Sequence, residues 1–226
     1  MHNKQIWLKY YAEAFGTCLL VIFGAGSVIL NFLTEGKVTV VGIALAHAFI
    51  IGIAVFLFGN VSGAHINPAV TIAFLFDKRI DAKNAAYYII SQLAGAVAGA
   101  YFLKLIFKTV VPATALGAPV IKGITNEAGF LLEFGITFLL IFVIMYLVKH
   151  KMANSKIAPL AIASVIFVDI MLAGYNTGGA INPARAFGPA FVANFWLNQS
   201  IYWVAPILGG IAAVYASRLW WGDGER

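Results

Sequence analysis

Charged side chains are scarce in this chain of 226 residues. Lys, Arg, Asp and Glu make up 11% of the sequence, and hydrophobic residues make up 62%. A typical soluble domain is about 25% charged. So few charges cannot cover the surface of a soluble protein, which excludes an ordinary cytosolic enzyme, a disordered chain and a nucleic-acid binder. The class that remains is a helical membrane protein that crosses the bilayer several times.

Cysteine is almost absent, and Cys18 is the single cysteine of the chain. One cysteine excludes an intramolecular disulfide and a thiolate metal cluster. The sequence also shows no nucleophile–base arrangement and no metal-ligand cluster, so we expect neither an enzyme, a cofactor nor a metal site. The first apolar run, from Tyr10, is too long for a signal peptide and ends in no small-residue cleavage site, which predicts a membrane span instead.

Six apolar stretches have roughly the 20 residues needed to cross a bilayer. These predicted spans are 10–31, 40–58, 84–107, 128–148, 157–173 and 200–221. Two further apolar stretches, 67–76 and 182–192, are too short to cross. Each of them opens with Asn-Pro, which predicts a helix with Asn as its N-cap and Pro in its first turn.

An even number of spans places both termini on one side of the membrane. Of the 15 Lys and Arg residues, ten then fall on the terminal side and five on the other. Because positive charge concentrates in cytoplasmic loops, we expect both termini to be cytoplasmic, and the formal net charge of +6 needs no polyanionic partner. The short tails favour a prokaryotic plasma membrane, with a vacuolar-type membrane as the alternative.

An internal repeat relates the two halves of the chain. Residues 62–70 align with residues 177–185, and the offset is 115 residues (182 − 67). Each half contains three spans, and an odd number of spans inverts the second half in the membrane. The sequence therefore predicts one channel domain over 1–226, with inverted halves of approximately 1–110 and 120–226 joined by an outer loop, 108–127.

The repeat contains one Asn-Pro-Ala triplet in each half. Its six residues are Asn67, Pro68, Ala69, Asn182, Pro183 and Ala184. Two short helices that enter from opposite sides would meet at their N-termini, and each N-terminus carries roughly half a positive elementary charge. That meeting point repels cations, including hydronium. A capping Asn uses only its side-chain oxygen, which leaves its amide nitrogen free to donate to a passing water.

Together these features resemble the aquaporin family over nearly the whole chain. The resemblance rests on the paired triplets, on the Ser-Gly-Ala-His sequence before the first triplet, on residues 184–190, and on Glu13 and Glu133 within spans. It implies an all-α bundle of six transmembrane helices and two re-entrant half-helices. It also implies a homotetramer in a lipid bilayer that conducts water and small neutral solutes passively and excludes protons and ions. Glu13, Glu133 and His65 are expected to support the re-entrant loops.

The resemblance also implies a second constriction, outward of the triplets, called the selectivity filter. Carried over by spacing from the triplets, its four positions are His47, Ile170, Gly179 and Arg185. A permanent cation within an apolar chain is costly, so Arg185 is a functional residue by default.

The filter residues indicate a subgroup within the family. The water-only pattern has an aromatic residue where His47 stands and a His where Ile170 stands. The set found here resembles one subgroup of plant tonoplast intrinsic proteins, which pass ammonia as well as water. Those proteins carry a further filter His after a Val-Pro pair, whereas Val111-Pro112 is followed here by Ala113. This departure counts against selectivity for ammonia. From His47 and Ile170 we expect a wider and more apolar filter on the water-channel branch, with ammonia or hydrogen peroxide as additional solutes.

Two other functions stay open. A glycerol facilitator is disfavoured because Ala186 and Ala190 stand where that branch has an acidic and a basic residue, and because Tyr-Trp occupies 202–203. A coupled secondary transporter shares the inverted repeat, but no ion site is evident. Three interpretations of Asp169 stay open: it faces the outer vestibule, it faces a neighbouring subunit, or it binds a structural partner such as a backbone N–H. His150, in a predicted cytoplasmic loop, has no assigned role.

Overall fold

The computed structural model describes residues 2–222, which contain ten α-helices and no strand. The first span is one continuous rod built from α1 (His2–Leu20), a π-helical turn (Val21–Ala25) and α2 (Gly26–Leu33). The other helices are α3 (Thr39–Ser62), α4 (Pro68–Phe76), α5 (Ala82–Ile106), α6 (Val111–Thr114), α7 (Asn126–Lys149), α8 (Ala158–Ala173), α9 (Pro183–Ala193) and α10 (Gln199–Trp221). The expected six spans and two half-helices are all present as helices.

The six spans are not equal in length. Five helical segments of the described chain are long and apolar enough to cross a membrane, and α8 is shorter at 16 residues. At about 1.5 Å per residue α8 covers about 24 Å, less than the hydrocarbon thickness of about 30 Å. The helix ends at Gly174, where the chain turns into the loop that leads to the second triplet.

The two half-helices, α4 and α9, begin at the residues that the sequence indicates. Asn67 and Asn182 are extended (φ −155° and −137°) and act as N-caps, and each is followed by Pro at the first helical position. Asp77 is the C-cap of α4, and Asn194, in the left-handed conformation (φ 53°), is the C-cap of α9.

Glycines let the long helices pack in matching pairs. A Cβ atom at Gly95 of α5 would lie 1.9 Å from the carbonyl oxygen of Ala14 in α1. A Cβ atom at Gly209 of α10 would lie 2.3 Å from the carbonyl oxygen of Phe134 in α7. Only glycine permits such backbone approach, so α1–α5 and α7–α10 are the equivalent close pairs of the two halves.

Both ends of the described chain lie at one end of the bundle. The hydroxyl of Tyr10 donates to Oδ1 of Asn84 over 2.7 Å, which joins the start of α1 to the start of α5. Nζ of Lys149 donates to the carbonyl of Gly222, which joins the end of α7 to the end of α10. Lys9 of α1 and Val148 of α7 line one cavity, so the two joined pairs share an end of the bundle, as an even number of crossings requires.

The connection after α5 is more structured than the plain outer loop expected from the sequence. It contains two 3₁₀ turns, Lys108–Val110 and Ala115–Gly117, on either side of α6. The side chain of Leu116 is fully buried and packs in a cluster with Ala25 of the first span. Burial of this leucine draws the connection into the bundle and brings Gly117 to its interior.

Candidate functional site

Glu13, on α1, is the point to which the first re-entrant loop is attached. Its side chain is 0% exposed. Oε1 accepts hydrogen bonds from the hydroxyl of Ser62 (2.6 Å) and the backbone N–H of His65 (2.9 Å). Oε2 accepts from the backbone N–H of Ile66 (2.6 Å) and from Nε2 of Gln92 (2.7 Å). Four donors stabilise a carboxylate that would otherwise be too costly to bury.

Glu133, on α7, holds the second loop in the same way. Its Oε1 accepts from the hydroxyl of Thr177 (2.6 Å) and the N–H of Ala180 (2.9 Å). Its Oε2 accepts from the N–H of Ile181 (2.9 Å). Both carboxylates therefore face the loops, and their oxygens already accept hydrogen bonds from loop donors.

The residue before each triplet has a strained backbone. Ile66 has φ 52° and Ile181 has φ 59°, which is rare for a β-branched residue and costs on the order of 1–3 kcal/mol. Each is held from both sides. The N–H donates to the glutamate of its own half, and the carbonyl accepts from the triplet of the other half. Asn182 Nδ2 donates to the Ile66 carbonyl over 2.8 Å, and Asn67 Nδ2 donates to the Ile181 carbonyl over 3.1 Å.

The two triplets meet inside the bundle through these amides. Asn67 Oδ1 accepts from the N–H of Ala69 (2.8 Å), and Asn182 Oδ1 accepts from the N–H of Ala184 (3.0 Å), as expected for N-caps. The sequence suggested that the amide nitrogens are free, but each one donates across to the opposite loop. Since an amide nitrogen carries two hydrogens, one donor per Asn is left, and both Asn side chains line the central cavity of the bundle.

The four expected filter residues, His47, Ile170, Gly179 and Arg185, line that same cavity. Nε of Arg185 donates to Nε2 of His47 over 3.3 Å, and Nδ1 of His47 lies 2.9 Å from the carbonyl of Ile43. Because Nε2 accepts, we assign the ring proton to Nδ1 and the imidazole to its neutral form. A Cβ atom at Gly179 would lie 3.2 Å from Cα of Ile170, so these two residues form one closely packed wall.

Gly117 is a contact of the site that the sequence did not reveal. Its carbonyl accepts from Nη1 of Arg185 over 2.8 Å, and the guanidinium side chain is 1% exposed. Gly117 has φ +73°, and a Cβ atom there would lie 2.5 Å from the carbonyl oxygen of Ala25, so no other residue fits. The apolar Ala-Leu-Gly sequence at 115–117, inside a predicted outer loop, was the available signal.

Three cavities follow one another through the bundle. The central cavity leaves about 50 Å³ for the centres of water molecules, which is room for about three to five at about 10–15 Å³ each. It shares His65 with an inner cavity of about 800 Å³ and Arg185 with an outer cavity of about 460 Å³. Apolar side chains form most of its remaining wall, namely Leu20, Ile51, Val55, Val70, Leu140, Ile144, Ile162 and Ile166.

The inner cavity opens at the end of the bundle that holds both ends of the described chain. Lys9, Lys78 and Asp81 lie in its wall. Asp81 is the N-cap of α5, and hydrogen bonds from Asn84 lower the pKa of its carboxyl group. This carboxylate is therefore ionised at neutral pH.

Three other residues that the sequence singles out have clear places. The ring of His65 is buried, with Nδ1 3.2 Å from the hydroxyl of Thr71 and the ring packed on Phe74, in a position that supports the loop. Asp169 is 1% exposed, which places it inside the bundle rather than in the vestibule or on a subunit face. Its Oδ2 has no hydrogen-bond partner within the described residues. His150 is exposed.

Residues 2–222 contain no group of three or more His, Cys, Asp or Glu that could hold a metal ion.

A helical bundle in which two half-helices meet at a narrow passage is a membrane channel of the inverted-repeat type. The chain belongs to the Major intrinsic protein family, whose model matches residues 1–216. This is the aquaporin family, whose members are membrane channels for water and small solutes.

Named relatives cover most of the chain. It is 35% identical to Nodulin-26 of Glycine max, over 92% of this chain and 75% of that protein. It is 34% identical to Aquaporin NIP6-1 of Arabidopsis thaliana, over 92% and 67%. It is also 35% identical to Glycerol uptake facilitator protein-like 6 of Lactiplantibacillus plantarum, over 93% and 97%. The solved aquaglyceroporin from Plasmodium falciparum has the same fold, with a TM-score of 0.80 at 23% identity over 93% of this chain and 94% of that one.

Proposed function

We propose that this protein is a passive water channel that excludes protons and ions and also passes ammonia or hydrogen peroxide. The observation that carries the proposal is the series of three cavities, wide at both ends and narrow where the two triplets and Arg185 meet. The described residues present no covalent chemistry along this path. The small volume of the central cavity is that of a passage in which water molecules move in single file.

Electrostatics supports the exclusion of cations. The N-termini of α4 and α9 meet at the central cavity, and Arg185 adds a full positive charge beside it. No Asp or Glu side chain is among the described residues that line this cavity, since Glu13 and Glu133 face the loops. A cation that enters loses its hydration beside two helix N-termini and the charge of Arg185, whereas neutral water keeps hydrogen-bond partners in the two Asn amides.

The filter supports passage of small neutral molecules besides water. His47 supplies a neutral ring on one side, and Ile170 supplies an apolar wall on the other. Gly179 has no side chain to narrow the passage. Ammonia and hydrogen peroxide are neutral and close to water in size, so the same opening admits them.

Glycerol is the second candidate solute, and the relatives favour it. One of them, 35% identical over 97% of its own length, is named as a glycerol uptake facilitator-like protein. Against glycerol, Ala186 and Ala190 are fully buried where the glycerol branch has charged residues, and Tyr202 donates its hydroxyl to the Thr177 carbonyl over 2.8 Å. We assign the chain to the water-channel branch, and the experiment below also measures glycerol permeability.

We propose a homotetramer with one pore per subunit. It lies in a prokaryotic plasma membrane, with both termini on the cytoplasmic side. Large apolar side chains on the outer surface support membrane and subunit contact, and Leu105 (82% exposed) and Leu219 (89%) are examples. The single chain over 1–226, with its inverted halves, forms one complete pore in this proposal.

Stopped-flow light scattering on proteoliposomes tests the function. A sucrose gradient measures water efflux, a glycerol gradient measures reswelling, and an internal pH dye measures ammonia entry. We expect fast shrinkage with a low activation energy, ammonia entry above that of empty liposomes, and loss of the ammonia signal in His47→Phe. Shrinkage no faster than in empty liposomes would contradict the channel, and fast glycerol reswelling would move the protein to the second candidate.

A further inference from the structure

Gly24 lies directly behind the imidazole of His47. It belongs to the π-helical turn Val21–Ala25 of the first span. A Cβ atom at Gly24 would lie 2.7 Å from Cδ2 and 2.7 Å from Nε2 of His47. Carbon atoms in ordinary contact are about 3.5–4.0 Å apart, so the imidazole occupies the space that a side chain at position 24 would need.

The imidazole is held in this space by burial and by hydrogen bonds at both of its nitrogens. The His47 side chain is 3% exposed. Nδ1 is held by the carbonyl of Ile43 at 2.9 Å, and Nε2 is held by Nε of Arg185 at 3.3 Å. A displacement of about 1 Å, needed to restore ordinary contact, therefore changes the geometry of both hydrogen bonds. The same displacement moves a group that lines the central cavity.

The glycine that faces the filter residue lies within the π-helical turn. One-turn π segments inside α-helices are frequent at functional sites, because they shift the register of the residues that follow. Two residues further on, Gly26 points elsewhere, and a Cβ atom there would meet only Cδ2 of Leu103, at 3.3 Å. Leu103 has a flexible side chain whose end can move, so Gly26 serves helix packing whereas Gly24 contacts a filter residue.

We propose that Gly24 is a positioning residue that sets the width of the selectivity filter through His47. The proposal rests on the proposed function of the pore. Among the described residues His47 lines the central cavity and Gly24 does not, so the imidazole stands between Gly24 and the passage. Any side chain at position 24 pushes the ring into the passage and separates it from Arg185.

The experiment compares Gly24→Ala with Gly26→Ala and with the double variant Gly24→Ala/His47→Ala in the proteoliposome assay. We expect Gly24→Ala to lower ammonia permeability about tenfold and to change its ratio to water permeability, and Gly26→Ala to stay within about twofold of the wild type. The double variant should recover, because the ring that obstructs the passage is gone. A double variant as slow as the single one, or equal effects of the two glycine changes, overturns the proposal.

A second readout does not depend on conduction. The ¹⁵N chemical shift of His47 Nε2 reports its hydrogen bond to Arg185, and we expect it to move in Gly24→Ala but not in Gly26→Ala. An unchanged shift overturns the proposal even if the wild-type protein conducts nothing, which would contradict only the proposed function. If Gly24→Ala fails to fold while the double variant folds, the clash with His47 is shown directly.

Discussion

Lys104 and Arg218 occupy equivalent positions in the two halves, 114 residues apart (218 − 104), and each donates to the C-terminal end of a half-helix. Nζ of Lys104 lies 3.4 Å from the carbonyl of Val192 in α9. Nη2 of Arg218 donates to the carbonyl of Phe76 in α4 over 2.9 Å. A cation at the negative end of a helix is favourable, so both half-helices are stabilised at the ends that face away from the centre.

Replacing either cation should therefore destabilise the fold. We expect Lys104→Gln to lower the free energy of unfolding by about 0.5–1 kcal/mol, and less at high salt. Arg218→Gln should cost more, about 1–3 kcal/mol, because buried Asp77 then loses one of the two ion pairs it forms within residues 2–222 and keeps that with Arg79. Thermal unfolding in detergent at two salt concentrations measures both, and exposed Lys83→Gln is the control. An equal loss in Lys83→Gln would show a general charge effect instead.

Removal of one carboxylate should release the second re-entrant loop. Glu133→Gln replaces an oxygen acceptor by an amide donor, so it leaves at least one buried N–H of Ala180 or Ile181 without its acceptor. We expect a loss of about 2–4 kcal/mol in stability together with loss of water conduction. Glu127→Gln, at the exposed first turn of the same helix, changes the net charge equally and should behave as the wild type. A conducting, stable Glu133→Gln would refute the role of this carboxylate.

Charge and width in the filter can be separated by two variants. Arg185→Gln removes the cation and its bond to the carbonyl of Gly117, so we expect proton leakage across the liposome membrane to rise above that of the wild type. His47→Ala widens the same constriction and keeps the cation, so it should raise solute permeability without the leak. An internal pH dye under a valinomycin-clamped potential measures the leak. Equal leakage in both variants would assign proton exclusion to width alone.

Close backbone contact predicts a strong effect of one methyl group. Gly95→Ala places Cβ on the carbonyl oxygen of Ala14, so α1 and α5 must separate. We expect a loss of about 3 kcal/mol or more, or failure to assemble. Gly135→Ala adds the same atom where nothing lies within 4 Å and should be neutral or slightly stabilising. Unfolding transitions of the two purified variants, measured side by side, decide between close packing and a general effect of replacing glycine.

The bundle could be predicted from the sequence because its determinants are local. Uninterrupted apolar runs mark the long helices, and Asn-Pro marks the starts of α4 and α9. The placement of Glu13 and Glu133, one per half, pointed to the loops that they hold. The repeat carried the information that the two halves are built alike.

Contacts that depend on the path of the chain could not be predicted. Gly117 meets Arg185 only because Leu116 is drawn into the bundle, and no spacing rule links residues 68 positions apart. The sequence predicted that the side-chain oxygen of Asn67 caps α4, because that contact spans only two residues. The hydrogen bond from its amide nitrogen to Ile181 forms only when both halves are packed. The π-helical turn at Gly24 has no compositional signature, since its residues Val, Ile, Phe, Gly and Ala also occur throughout the regular membrane helices of this chain.

The crossed hydrogen bonds between the two loops can form only after the second half of the chain has been synthesised. Ile66 accepts from Asn182, which lies 116 residues later in the chain, and Asn67 donates to Ile181, which lies 114 residues later. At about 5–20 residues per second, the ribosome needs on the order of ten seconds to supply these partners. During that interval the strained Ile66 has partners from its own half alone, namely Glu13 at its N–H and Thr17 at its carbonyl. The narrow passage between the two triplets therefore forms only when the second half packs against the first, so its geometry is a product of the whole fold and of neither half alone.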